Sequence, residues 1–265
     1  MIAIKLLGGL GNVMFQIATI EYLGKVFEQE VCYTDIDQWM DDLVEQWPWS
    51  IHGQEYLTIF PKINFYKNHT ERFIPQRRQD VQFRFIQLGA QNWDLFVGYF
   101  QSEKNFPDRP FIEDLFQPSE RIIGLMSKYN VLFNLPTCSI NVRRGNYLNL
   151  GNHHPCLGID YYRKAIDIMK AKGVSRFLIF SNDLNWCRNN FIGDEFTFIN
   201  DIDYVELFLM SKCSNHIISN SSFAWWGAWL GETPEKTTIA PNVWFGNYLP
   251  AEHAADIIPA RWLKI

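Results

Sequence analysis

The feature that most constrains this chain is a repeated alternation of a short apolar run, a break at small or polar residues, and a segment with helical spacing. "MIAIKLL" reads as a buried strand that breaks at Gly8-Gly9-Leu10-Gly11-Asn12. Met14, Ile17, Ile20, Leu23 and Phe27 follow at helical spacing, and "EVCYTD" reads as the next strand. Beyond Pro136 the alternation restarts. "CSINV", "RFLIFSND", "NHIISNSS" and "TTIAP" read as strands; "GIDYYRKAIDIMKAKG", "DYVELFLMSKC" and "FAWWGAWLG" read as the helices between them. Strands separated by helices call for crossovers between parallel neighbours. The predicted fold is therefore α/β, with Rossmann-like halves at residues 1–135 and 136–265. Residues 38–110 show no clear period; they are aromatic and Pro-punctuated, with a basic cluster of Arg72, Arg77, Arg78 and Arg84.

The chain has 265 residues, 47% hydrophobic and 20% charged, enough to bury a sizeable core. Its net charge of −5 argues against a generic nucleic-acid or anionic-membrane binder. Any anion site must therefore be local. Aromatic residues are abundant at 16%, and most such rings are expected in the core. The five cysteines are odd in number and lack a C-x-x-C, which fits reduced thiols in a cytoplasmic protein. No apolar run approaches the ~18 residues of a membrane span, and no signal-peptide pattern precedes the first strand. The sequons at Asn68 and Asn220 then read as chance matches.

Four segments carry chemistry. "GGLGNVMFQ" places glycines between a strand and a helix N-terminus, where backbone N–H groups can hold an anion. As a dinucleotide fingerprint it fails at Met14, where a third Gly is wanted. Arg143-Arg144 ends a strand, the place where open α/β sheets hold ligands. Guanidinium pairs phosphate oxygens bidentately, although one of the two arginines, Arg144 first, is expected to form an internal salt bridge. "FSND" offers Asp183 as an acceptor for guanine N–H groups or as a helix cap. "SNSSF" offers Ser221 and Ser222 at a helix start, followed by Phe223. The D-x-D strings Asp35-Ile-Asp37 and Asp201-Ile-Asp203 are weak metal signals, and His153-His154 lacks a partner at metal-ligand spacing; no bound metal is expected.

Taken together and in order, these segments resemble one family. "GGLGNVMFQIA" is similar to the G-G-L-G-N-Q-M-F-Q-Y-A opening of the α-1,2-fucosyltransferases (glycosyltransferase family 11), and "INVRRGNYL" to their H-x-R-R-G-D-Y motif. "HHPCLGIDYYRKAI", "FLIFSNDLNW", "LFLMSKC" and "IISNSSFAWWGAWL" resemble the family's downstream blocks. The resemblance implies a GT-B-like fold with the active site in a cleft between the halves, the first on the acceptor side and the second binding GDP-sugar. It implies inverting transfer of L-fucose from GDP-β-L-fucose to the 2-hydroxyl of a galactose-terminated glycan, with no metal or other cofactor. Arg143 would bind the pyrophosphate and Arg144 support it. Asn141, Ser221, Ser222 and Phe223 would also serve the donor, and Asp183 would face the guanine. Gly9, Gly11 and Asn12 would shape the sugar end. Arg143, Asn12 and His154 are the catalytic candidates, with Asp35, Asp37 and His153 as further candidates for a base. Acceptor contacts are expected from residues 35–110, and the protein is expected to be cytoplasmic, free or peripheral at the inner membrane.

Three positions depart from the family pattern: Asn141 stands for its His, Asn146 for its Asp and Val13 for its Gln. If the Asp is structural, Asn can replace its hydrogen bonds at a cost of about 1–2 kcal/mol. Two alternatives stay open: a nucleotide-sugar or carbohydrate-binding protein with impaired catalysis, and a metal-dependent transferase using another nucleotide sugar.

Overall fold

The computed structural model describes residues 1–265 apart from 47–52, 67–73, 82, 84, 86 and 248, and gives only the backbone of 42–46, 53, 54 and 251. Asn68, Arg72 and Arg84 lie outside the described residues. The chain forms two compact units: Met1–Ser119 with Glu252–Pro259, and Glu120–Ala251 with Ala260–Ile265.

The first unit runs β1 (Ile2–Lys5), α1 (Leu10–Val26), β2 (Val31–Thr34), α2 (Ile36–Gln46), β3 (Arg77–Val81), β4 (Asp94–Gly98) and α3 (Arg109–Leu115). Its sheet has the order β2-β1-β4-β3, and every pairing is parallel. Val13, Met14, Phe15, Ile17 and Ile20 of α1 are at most 1% exposed. That helix is apolar around most of its circumference, as a buried helix should be. Phe27, expected on its inner face, is the C-cap residue and is exposed, because the helix has already ended at Val26.

The second unit runs α4 (Glu120–Met126), β5 (Cys138–Val142), α5 (Ile159–Ala171), β6 (Phe177–Ser181), α6 (Leu184–Asn190), β7 (Phe196–Phe198), α7 (Asp203–Lys212), β8 (Asn215–Ile217), α8 (Ser222–Leu230), β9 (Thr238–Ala240) and β10 (Leu263–Lys264). Its sheet, β10-β9-β8-β5-β6-β7, is again all parallel. β5 is buried along its whole length, as a central strand covered on both faces should be. Trp225, Trp226 and Trp229 of α8 are core residues, and Trp225 packs on Trp262. α7 and α8 approach closely: a Cβ at Gly231 would sit 2.0 Å from the Ser211 carbonyl oxygen.

The units divide between Ser119 and Glu120, whereas the sequence places the division at 135/136. The physical reason is that Glu120–Phe133 belongs with α7. α4 packs on that helix. In the turn after it, the Tyr129 hydroxyl donates to Asp201 at 2.8 Å and Lys128 pairs with the same carboxylate at 2.7 Å. The segment Glu252–Pro259 returns to the first unit, where Asp256 pairs with Lys104 and Ile257 is fully buried.

Each sheet contains a point where the strand order reverses. In the second unit it lies between β5 and β8, since β6 continues to one side and β9 to the other. In the first it lies between β1 and β4. Ligands of open α/β sheets bind outside the carboxyl ends of the strands at such points.

Candidate functional site

The first residues beyond β5 are Arg143 and Arg144, and the first beyond β8 are Ile218 to Ser221. The second unit's reversal point therefore brings the arginine pair beside the turn that starts α8. Asn141, nearly buried, accepts a hydrogen bond from the Ser219 hydroxyl at 2.6 Å and ties the two strand ends together.

The two arginines are held differently. Arg144 Nε donates to Asp183 Oδ2 at 3.1 Å, its guanidinium lies 4.3 Å from the Trp186 ring centroid, and its backbone N–H donates to Asn182 Oδ1 at 2.9 Å. Its charge is compensated. Arg143 has no carboxylate partner among the described residues. Its Nη2 donates to Asn146 Oδ1 at 2.8 Å, and its guanidinium lies 5.1 Å from the Tyr147 ring centroid. An amide and a ring orient this cation without neutralising it. Gly145 lets the chain turn between the two: its φ is +35°, and a Cβ there would fall 2.2 Å from Asn182 Nδ2.

Asp183 caps α6, with Oδ1 accepting from the Trp186 N–H at 3.0 Å while Oδ2 serves Arg144. Both oxygens thus have partners within the protein, and a guanine would use their remaining lone pairs. Ser221 is the N-cap residue of α8 but makes no side-chain cap bond. That leaves its hydroxyl and the first N–H groups of the helix for an anion. Ser222 opens the helix, and Phe223 beside it is partly buried. Asn220 fixes this turn from below: its Nδ2 donates to the carbonyls of Pro155 and Trp244, both at 3.0 Å. A buried Asn so engaged fits the reading of its sequon as a chance match.

Tyr147 connects the two halves of this cluster. It faces Arg143, its hydroxyl donates to the Asn220 carbonyl at 3.2 Å, and its ring stacks on His154 with 4.7 Å between centroids. His154 packs against Phe245 on its other side and leaves Nδ1 buried with no hydrogen-bond partner. Burial, with His153 and Arg143 nearby, pushes its pKa down to about 4. The imidazole is neutral at ordinary pH and a weak base, an environment suited to packing more than to proton transfer. Tyr147 is the last residue of the motif that Arg143 and Arg144 share, but the sequence assigned it no role. It stands four residues after Arg143, too far for a strand neighbour and within reach once the chain turns.

Gly9, Gly11 and Asn12 belong to the first unit's reversal point. Gly9 is the N-cap of α1, and Asn12 Oδ1 accepts from Gln101 Nε2 at 2.7 Å. Gln16 is fully buried and bonds the backbone of Leu7 at both N–H (3.0 Å) and carbonyl (3.1 Å) and the Gly98 carbonyl at 2.9 Å. It locks the glycine loop to β4, a role its place in an otherwise apolar helix could have signalled. Val13, at 1% exposure, simply fills the core. Of the D-x-D strings, Asp201 holds the Ser127–Phe133 turn, and Asp35 faces Lys5 at 3.6 Å. Asp37 lies in the first turn of α2.

Two all-parallel units, one carrying at its strand reversal an oriented guanidinium that lacks a carboxylate partner among the described residues, make up a GT-B-like α/β fold. The sequence model of Glycosyl transferase family 11 matches residues 1–265, and the chain belongs to that family. It is 27% identical over 280 residues to the O-antigen biosynthesis glycosyltransferase WbnK of Escherichia coli, spanning 90% of this chain and 93% of that protein. It is also 27% identical over 296 residues to an alpha-1,2-colitosyltransferase of Escherichia coli, spanning 98% and 97%. Among solved structures the fold is similar to the NodZ alpha-1,6-fucosyltransferase, with a TM-score of 0.55, 11% identity, and 86% and 92% of the two chains covered. It is similar as well to apo POFUT1, with a TM-score of 0.52, 8% identity, and 90% and 97% covered. No helix among the described residues is long and apolar enough to cross a membrane.

Proposed function

We propose that this glycosyltransferase moves L-fucose from GDP-β-L-fucose to the 2-hydroxyl of a galactoside, inverting the anomeric carbon and needing no metal. The observation that carries the reading is Arg143: an arginine oriented by Asn146 and Tyr147, without a carboxylate partner among the described residues, at the strand reversal. In the reaction the acceptor oxygen bonds to C1 from the face opposite the nucleotide. The C1–O bond breaks, its electron pair leaves on the β-phosphate, and the acceptor proton passes to a base. Arg143 stabilises the charge that develops on the leaving diphosphate. Ser221 and the α8 N-terminus share the phosphates, Arg144 supports them and Asp183 meets the guanine. Gly9, Gly11 and Asn12 serve the sugar end.

The reading is supported by the family and by a fold shared with NodZ, whose crystals were soaked with GDP-fucose. The five free cysteines suit a reducing, cytoplasmic setting, and the O-antigen relative suits a role in surface-glycan synthesis. Incubation with GDP-fucose and lactose, with the product linkage read by NMR and EDTA as a control, tests it. Absence of GDP-fucose binding at millimolar concentration would sink it, and loss of activity in EDTA would overturn the metal-free part. A second transferred sugar, colitose, is favoured by that relative, and competition between a colitose nucleotide sugar and GDP-fucose decides. A protein that binds donor without turnover is less well supported, because Asn141 and Asn146 each make the hydrogen bond that orders this site.

A further inference from the structure

Directly after Tyr147 the chain forms an open surface depression of about 310 Å³ that is lined, among the described residues, by Leu148 to His153. The loop is ordered by its own bonds and by the segment beside it. The Leu150 carbonyl accepts from the N–H groups of His153 (2.8 Å) and His154 (2.7 Å), and the His153 carbonyl accepts from Gly246 N–H at 2.9 Å. A Cβ at Gly246 would lie 2.4 Å from the Asn152 carbonyl oxygen, so that segment presses directly on the loop. The His154 stack on Tyr147 holds its far end. A loop fixed this firmly is preorganised for a ligand.

Its chemistry narrows the ligand. Leu148 and Leu150 are 55% and 37% exposed and give the loop apolar surface. Asn149 and Asn152 add amides that both donate and accept, and among the described residues no Asp, Glu, Lys or Arg lines the depression. Apolar patches beside uncharged amides suit the C–H faces and hydroxyls of a sugar, and a phosphate or carboxylate would find no opposite charge. The volume is at the small end of ligand pockets, roughly 300–1,000 Å³. Through Tyr147 the loop adjoins Arg143, where a donor's leaving group would sit.

We propose that Leu148–His153 is a subsite for a neutral saccharide unit of the acceptor, an inference that rests on the transferase reading above. Part of acceptor recognition then belongs to the second unit, in addition to any contribution from residues 35–110.

The test measures two affinities separately: lactose, then other neutral β-galactosides, on the GDP-loaded protein by saturation-transfer NMR, and GDP by calorimetry. A Cβ added at Gly151 meets no atom within 4 Å, so Gly151→Trp puts a large ring on the lining loop with no clash at its first side-chain atom; Asn152→Ala removes an amide instead. Both variants are expected to weaken galactoside binding about tenfold or more while GDP affinity stays within about twofold. Galactoside affinity unchanged in both variants overturns the subsite, as does a parallel loss of GDP affinity or a wild-type protein that binds no neutral galactoside. Galactoside binding lost in the variants of a protein that ignores GDP-fucose would instead overturn the donor assignment and leave the subsite standing.

Discussion

Arg143 and Arg144 are adjacent in sequence yet do different work, and the difference comes from what each side chain reaches. Among the described residues, Arg144 finds Asp183 and Trp186, while Arg143 finds an amide and a ring. Arg143→Ala is expected to lower kcat/KM by about a hundredfold to a thousandfold, roughly 3–4 kcal/mol of transition-state stabilisation, and steady-state kinetics with GDP-fucose would show it. Near-normal rates would remove the leaving-group role. Asn146→Ala is expected to weaken GDP by about 1 kcal/mol, since it frees the guanidinium to move. Asn146→Asp keeps the hydrogen bond and is expected to retain turnover; calorimetry and kinetics on the pair separate orientation from charge. The basic pair itself was plain in the sequence. That Arg144 would be consumed internally was expected, but no rule of spacing could assign Tyr147 to Arg143, because that contact exists only after the turn at Gly145.

At the scale of elements, the turn after β5 depends on one residue. Gly145→Ala would need a positive φ and would crowd Asn182, whose Oδ1 holds the Arg144 N–H. The variant is expected to lose about 1–2 kcal/mol of stability and to bind GDP more weakly, read by denaturant melts and calorimetry; an unchanged melt would mean the turn relaxes freely. The strands that frame this turn were legible because both faces are buried and their sequences are continuous apolar runs. β3 was not. It is an edge strand, Arg77–Val81, largely exposed, with polar residues where a buried strand would show an apolar run. The two described residues of the basic cluster are spent on carboxylates: Arg77 bonds the buried Asp94, and Arg78 bonds Asp80. α6 was hidden for another reason. It is seven residues long, too short to show a period, and is announced only by its Asp183 cap.

Across the whole molecule, three buried groups give stability a defined pH dependence. Burial pushes His216, whose Nδ1 meets the Ser139 hydroxyl at 2.9 Å, down to about 3, and His154 down to about 4. Both bind a proton more readily when unfolded. Their contribution is therefore complete above about pH 6.5 and is lost as pH falls toward those values. Burial raises Glu206 to about 8, aided by Asp203 and Asp201. Its contribution has the opposite sign, present below its ordinary value near 4.5 and lost as pH rises through 8, at up to roughly 1.4 kcal/mol per pH unit. For these groups the melting temperature is expected to peak near pH 6.5. Glu206→Gln should flatten the decline between pH 6.5 and 8; a decline of the same size in the variant would assign it to other groups. The division into units was only partly legible, because the sequence offers no signal that Glu120–Phe133 would side with α7 or that Glu252–Pro259 would return to the first unit.

On the proposed reading, Arg143, which has no carboxylate partner among the described residues, would also link the protein's persistence to its nucleotide supply. The guanidinium, the Ser221 turn and the start of α8 meet only where β5 and β8 lie side by side, so a diphosphate held by them binds the folded second unit and not the unfolded chain. By mass action, GDP at a hundred times its Kd would add about 2.7 kcal/mol to folding stability. Resistance to proteolysis should therefore rise with GDP concentration in the wild type and stay flat in Arg143→Ala, as a protease time course would record. In a cell, the lifetime of the enzyme would follow the level of its own nucleotide.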